Sequence, residues 1–445
     1  MAFRGLIPFT SDRRDFLKAG AFGAGALALG ASAADEAGKE KPAIKIALIG
    51  CGGRGTGAAA QALEANPNAI IYALADYFED SVNNAANQFA GFAKQRPKQI
   101  DIGDRKFSGL DAFQKAIDSG CDLVILATPP GFRPPHFEYA VKQGKHVFME
   151  KPVAVDAPGI RQVLAAAEEA KKKNLYVAVG LQRHHQHNYI ETLEKIKSGE
   201  FGKIVSGNVH WVDSGVWTRD QQGSEFEFQM RNWYYFNWLC GDQIAEQHIH
   251  NLDVFNWFIG SNPIKARGVG GRQVRTGQKK FGEIYDHFAV QYTYANGVIL
   301  NSYCRHHPNC WSDVSEQIVT EKAMIDASGR ISDHDGKQLW KFKPSTPDAV
   351  ESTKKGGHAY EWVDLMNNLA AGKILNEGEY GAHSTLTSIL GRTAVYSGQE
   401  ITWDTMLKSE FRYHDPAVVA RKETLVMPGA DGLYPIAIPG VTKCF

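Results

Sequence analysis

The stretch IKIALIGCGGRGTGAAAQAL, Ile44 to Leu63, decides the fold. Its first six residues form a short apolar run, which predicts a strand buried on both faces, as in a parallel sheet. Gly50, Gly52 and Gly55 follow with the spacing GxGxxG, and an Ala-rich helical stretch comes after them. Strand, glycine turn and helix in this order make a dinucleotide site. Gly50 permits the tight turn, Gly52 lets the backbone approach a pyrophosphate, and Gly55 lets the helix pack close to the strand. The diphosphate then lies at the helix N-terminus, where free N–H groups and the helix dipole favour negative charge. Cys51, Gly53 and Arg54 fall inside the same turn and count as cofactor-binding candidates.

A second apolar run, AIIYALAD, ends in Asp76, 26 positions after Gly50. A carboxylate there accepts hydrogen bonds from both ribose hydroxyls and repels a 2′-phosphate. Tyr77, Phe78, Glu79 and Asp80 come next, with no Arg among them to attract that phosphate. The expected cofactor is therefore NAD rather than NADP. Two more runs, CDLVILATPP and HVFMEKP, complete the rhythm of a doubly wound parallel sheet. Ligands bind outside the carboxyl ends of such strands, which is where Thr128, Pro129, Glu150 and Lys151 fall.

At Glu150-Lys151-Pro152 the pattern becomes specific. GCGGRG, Asp76, ATPP, EKP and the polar stretch near residue 250 together resemble the Gfo/Idh/MocA family, which includes glucose–fructose oxidoreductase and inositol dehydrogenase. The resemblance runs from about Ile44 to about Thr405, and Tyr380–Asp404 resembles the closing segment of a bacterial branch. It implies an α/β protein: an N-terminal Rossmann domain at 44–165, then an α+β domain at 166–409 with a large, mostly antiparallel open sheet. An extension at 410–445 would follow. The family's sheet often makes oligomer contacts, so a homo-oligomer, dimer or tetramer, is expected. By the same resemblance His136, Gln182 and Arg183 approach the cofactor. One departure is the loop TPPGFRPPH, with Pro130 where the family has Asn and extra residues before His136.

GDQIAEQHIHNLDVFNWFIG, residues 241–260, reads as one helix with apolar periodicity through Ile244, Ile249, Leu252, Phe255 and Phe258. Glu246, His250 and Asp253 are spaced i, i+4 and i+7, on one face. Burying such groups is costly unless they are paired or used. Removing hydride from a carbinol carbon also requires removing the hydroxyl proton. An imidazole with a pKa near neutrality can take that proton, and a nearby ammonium stabilises the developing alkoxide. The resemblance assigns these roles to His250 and Lys151, with Glu246 orienting the imidazole in place of the family's Asp. Taken singly, His250 reads as a structural histidine and Lys151 as a surface lysine; their joint occurrence at the family's positions favours catalysis. No metal is expected. His248 and His250 diverge by about 200° on a helix, which opposes a shared site with His184, His185 and His187.

Beyond LYVAVGLQRHHQHNYI the period changes to alternation: IVSGNVHW, IKARGVGG, DHFAVQYTY and GVILNSYC predict strands of an antiparallel sheet. Between the two patterns lies MRNWYYFNW, Met230 to Trp238. Trp233 and Tyr234 would stack on a sugar's apolar face while Arg231, Asn232 and His184 bind hydroxyls; such clusters are as often core. A sugar or sugar derivative is the expected substrate.

The N-terminal stretch SDRRDFLKAG, followed by an Ala/Gly-rich apolar run and Ala31-Ser32-Ala33, resembles a twin-arginine signal peptide spanning 1–33, with a linker at 34–43. This predicts export of the folded chain by the twin-arginine machinery, to the periplasm or the cell exterior. The apolar run is too short for a membrane span. Lys plus Arg and Asp plus Glu balance at 49 each, so no net field steers the chain to nucleic acid or anionic membrane. Six cysteines form no CxxC pair, and Cys304 with Cys310 leaves a disulfide open. Three readings follow. The first is an oxidoreductase with tightly held NAD, which would work where no free NAD pool exists. The second is a redox-neutral, NAD-dependent glycosidase that oxidises, eliminates, hydrates and reduces. The third is a non-catalytic sugar- or cofactor-binding protein.

Overall fold

The structure, a computed structural model, describes residues 43–445; the signal peptide expected at 1–33 and all but the last residue of the 34–43 linker lie outside the described residues. β1 (Ile44–Ile49) pairs in parallel with β2 (Ala69–Asp76) on one side and β4 (Leu123–Leu126) on the other. With β3 (Lys106–Ser108), β5 (His146–Met149) and β6 (Val177–Val179) they form a six-stranded sheet of order 3-2-1-4-5-6, parallel throughout. Helices cover both faces, which is why these strands read as unbroken apolar runs. The strand order reverses beside β1, and the crevice at the carboxyl ends opens there.

The second sheet has nine strands. β7 (Ile204–Asp213) and β10 (Ile299–His306) run parallel at its centre, and its other neighbours pair antiparallel. β8 (Lys265–Gly271) and β9 (His287–Thr293) match predicted alternating runs. The stretch from Asp313 to Lys341, which adds four further strands, carried no sequence expectation. Helix Gly378–Ser397 lies on the inner face, buried along almost all of its length.

Two boundaries differ from expectation. The division expected at 165/166 falls inside helix Ala157–Lys172, and β6 beyond it completes the first sheet. Helix Gly357–Ala370 also returns to the first domain. Its Trp362, Leu365 and Met366 share one core with Ile46, Leu48 and Phe148, and the Trp362 and Phe148 ring centroids are 4.4 Å apart. The extension after 410 is mostly irregular and packs on an aromatic cluster of Phe226, Phe228, Tyr235, Phe236 and Trp238. Cys304 is buried and Cys310 exposed, and both are free thiols. Among the described residues, no helix is long and apolar enough to cross a membrane.

Candidate active site

The glycine turn joins β1 to helix Gly53–Ala65, whose N-cap Gly52 brings no side-chain cap. The first N–H groups of that helix therefore stay free for an anion. Gly50 has φ +98°, and a Cβ there would stand 2.5 Å from the Ala127 carbonyl carbon. A Cβ on Gly55 would come within 1.9 Å of the Gly50 carbonyl oxygen, whereas Gly52 and Gly53 face open space. The turn thus has crowded glycines behind and bare backbone in front, and these residues fit a pyrophosphate. Asp76 accepts the Cys51 N–H at 2.7 Å and the Phe78 N–H at 3.0 Å, so its carboxylate is fixed at the end of β2. Burial raises its pKa, against the lowering effect of those backbone donors. Cys51 keeps its thiol buried, and burial beside Asp76 raises its pKa well above the ordinary value, so the thiol plays no ionic part.

The four glycines and Asp76, though not Cys51, line a crevice of about 780 Å³, together with Thr128, Pro129, Phe132 and His136 on the same domain and Trp217, Arg219, Arg231 and Trp233 from the other. His136 stacks on Phe113 at 4.0 Å and its Nδ1 lies 3.4 Å from the Thr128 hydroxyl; burial pushes its pKa down to about 3. The additional residues of the TPPGFRPPH loop form a short 3₁₀ turn, Pro130–Phe132, running straight into helix Arg133–Lys142. Gly131 sits where a Cβ would clash with the Trp238 carbonyl oxygen and with His414. The loop is therefore packed against the second domain and the C-terminal extension.

Outside the lining of that crevice, Lys151 meets Glu246. The ammonium lies 3.1 Å from the Glu246 carboxylate and also donates to its backbone carbonyl. Burial raises the Glu246 pKa, and Lys151 opposes that rise. His250 is buried beside Trp211, ring centroids 6.0 Å apart, and its Nδ1 has no hydrogen-bond partner. Burial drives its pKa well below the usual 6.5, and the charges of Lys151, Arg183 and His358 push the same way. The imidazole is therefore neutral, with one nitrogen unpaired, in a setting that disfavours its protonated form. Tyr234, buried, also has an unpartnered hydroxyl; burial and the nearby Glu246 charge raise its pKa.

Several expected site residues are committed elsewhere. The single helix predicted over 241–260 breaks at Gln247 into Gln243–Glu246 and Ile249–Ile259. Asp253 does not join Glu246 and His250: it accepts from His184 Nε2 at 2.8 Å, from Ser384 at 2.7 Å and from Tyr380. His184 is thereby held in a packed network, against Trp257 as well, and does not line the crevice. Arg183 pairs with Glu316, and Glu150 pairs with Arg54 at 2.5 Å; neither lines the crevice, and they act on it only through charge and position. Arg54 lines it and reaches Glu361 as well. Gln182 keeps a buried carbonyl oxygen without a partner. Asn232 spends its amide on the Arg219 N–H and the Lys280 carbonyl, both at 2.8 Å, so it is a structural bracket rather than a sugar ligand. Arg231 turns to the first domain, onto Phe78 and Asp80. Of the aromatic residues there, Trp233 lines the crevice, whereas Tyr234, expected to stack on a sugar, is core together with Tyr235, Phe236 and Trp238. The histidines weighed as metal ligands take separate partners: His185 pairs with Asp364, and His248 contacts Ser302 and Asn251. Trp211, Trp217 and His358 belong to the site and carried no sequence signal, because each is brought there by tertiary packing alone.

Comparison with known proteins places this geometry. The model described as "Oxidoreductase family, NAD-binding Rossmann fold" matches residues 44–180, and "GFO/IDH/MocA C-terminal domain" matches 189–326. A scyllo-inositol 2-dehydrogenase (NAD(+)) of Bacillus subtilis is 25% identical over 193 residues, 43% of this chain and 51% of that protein. A glycosyl hydrolase family 109 protein of Streptomyces coelicolor is 25% identical over 168 residues, 38% of this chain and 34% of that protein. The chain's match spans about half the length of the first of these curated relatives and a third of the second. In fold, the aldose-aldose oxidoreductase from Caulobacter crescentus superposes with a TM-score of 0.63 at 19% identity, covering 81% of this chain and 99% of that one.

Proposed function

We propose that this chain, which belongs to the Gfo/Idh/MocA oxidoreductase family, oxidises a hydroxyl of a sugar or sugar derivative with NAD held in the crevice of its first sheet. The carrying observation is the buried, neutral, unpartnered imidazole of His250 in the charge field of the Lys151–Glu246 pair. Bound NAD supplies the hydride acceptor. Glycines 50, 52, 53 and 55 would hold its diphosphate and Asp76 its ribose. His250 takes the hydroxyl proton, and the Lys151 ammonium steadies the oxygen that loses it. Glu246 fixes the ammonium by two contacts, one from its carboxylate and one from its backbone. Mass analysis of the purified protein for a co-purifying dinucleotide, followed by sugar addition and a record of nicotinamide reduction, tests this reading. Absence of both binding and reduction sinks it.

A second reading, redox-neutral glycoside hydrolysis, draws on the similarity to the glycosyl hydrolase family 109 protein. The same base and ammonium would serve it. Aryl glycosides separate the two: aryl release with no net nicotinamide reduction favours hydrolysis. Retention of NAD through many turnovers also suits the twin-arginine pattern, because a route for folded chains lets the nucleotide cross inside its crevice. Cell fractionation tests that location, and sedimentation tests the proposed dimer or tetramer.

Two outcomes follow from the site's electrostatics. A base must be deprotonated to work, and a lowered pKa keeps it so at lower pH. With the His250 pKa well below 6.5, kcat/KM stays level from pH 8 down through pH 6.5, and its acid limb lies lower. A limb centred at 6.5 or above would contradict the buried setting. Substituting Asp76→Ala removes the ribose acceptor and the partner of two backbone amides. NAD affinity falls by about 10- to 100-fold, as for loss of a charged hydrogen-bonding group, and discrimination against NADP shrinks; calorimetric titration with both nucleotides measures it.

A further inference from the structure

Arg231 lies 151 positions from the residue it pairs with, and it marks a second wall of the cofactor crevice. Its guanidinium sits 3.8 Å from the centroid of the Phe78 ring, and one nitrogen lies 3.1 and 3.0 Å from the two Asp80 carboxylate oxygens. Phe78 and Asp80 stand just past Asp76, at the ribose end of the crevice. Trp217 and Trp233 line the same crevice from the second domain, packed edge to face at 6.1 Å. The Arg219 guanidinium lies over the Trp217 ring at 5.1 Å and lines the crevice as well.

The wall is anchored from behind. Asn232 ties the Arg219 and Lys280 backbones together, the Tyr235 hydroxyl donates to the Val216 carbonyl at 2.9 Å, and Lys279 binds Gln221 and Glu225, both at 2.7 Å. From the C-terminal extension, Tyr434 donates to Glu225, and the Val426 carbonyl accepts from Gln229 at 2.9 Å. The wall therefore belongs to the second domain, and the Arg231–Asp80 pair fastens it across the crevice to the first.

We infer that the second domain completes the adenosine half of the cofactor site: Trp217 and Trp233 cover the adenine, and the Arg231–Asp80 pair holds the two walls together, so that the nucleotide leaves only when that pair parts. This rests on NAD occupying the crevice, as proposed above. Aromatic faces suit a purine ring without reading its edges. Asp80 takes up the Arg231 charge, so this Arg does not select a 2′-phosphate.

The test measures release of NADH, by its fluorescence, from full-length protein diluted into excess NAD. Arg231 and Trp217 are partly exposed at their side chains, so their substitution leaves the core intact. Arg231→Ala is expected to speed release about fivefold, the combined worth of an exposed ion pair and a cation–π contact. Trp217→Ala is expected to speed it about tenfold or more, as for a lost base–aromatic contact. Salt should accelerate release from the parent more than from Arg231→Ala, because the parent has the pair to screen as well as the diphosphate at the helix N-terminus. Arg231→Lys should restore part of the slow release. Parent-like release from both alanine variants overturns the second wall. A parent that binds no NADH overturns the cofactor reading itself, and the wall with it.

Discussion

His250→Asn is expected to lower kcat by roughly 10²- to 10⁴-fold while the protein still binds NAD. The imidazole is buried, lacks a partner at Nδ1 and is held neutral by burial and by Lys151. Glu246 is occupied by Lys151 and Tyr234 is held protonated, so neither stands in for it; His358 is the other imidazole of the site whose pKa burial lowers. Lys151→Ala should bring a loss of similar size, with a different accompaniment. Removing the ammonium leaves Glu246 buried without its cation, so its pKa rises further and the variant loses stability, in the range of a broken buried pair, about 3–5 kcal/mol. Lys151→Ala paired with Glu246→Gln should regain much of the stability and none of the rate. Steady-state kinetics on a confirmed substrate, with bound NAD quantified in parallel, decide both. Variants that turn over as fast as the parent remove Lys151 and His250 from the chemistry.

The second large effect concerns Gly55. A methyl group there would stand 1.9 Å from the Gly50 carbonyl oxygen and 3.1 Å from the Ala127 side chain. The obstacle is backbone, which cannot rotate away as a side chain can. Gly55→Ala must therefore push helix Gly53–Ala65 off β1. The cost is about 1–3 kcal/mol, typical of overpacking, and the turn loses the shape that presents its amides. NAD binding should fall by at least a hundredfold. Gly57→Ala, where a Cβ meets nothing within 4 Å, is the control that stays folded and keeps its affinity. Thermal melting and NAD titration of the pair test the claim; equal behaviour of the two variants would refute it.

What could be read from the sequence was mostly local. GxGxxG, the apolar runs and Asp76 each depend on neighbours within one βαβ unit, so period and spacing suffice to place them. The strands at Ile204, Lys265, His287 and Ile299 were visible because one face of their sheet is wetter than the other. Residues whose meaning depends on a distant partner were misread. Arg231 beside Asn232 looked like a hydroxyl-binding pair, yet one crosses to Asp80 and the other ties down its own loop. His184 looked free until Asp253 and Tyr380 were brought to it. Glu246 and His250 were paired by helical spacing, but the helix breaks between them, and Lys151 is what joins Glu246 to the site.

Helix Gly357–Ala370 carries a practical consequence for anyone dissecting this chain. Trp362 lies inside the core of the first sheet, and residues 43–445 form one compact unit. A gene fragment stopping after residue 180 would strip that indole away and leave the Phe148 side of the sheet bare. Such a product should aggregate on expression, and cassette exchange of the nucleotide module with a relative needs the distant helix carried along in the same swap.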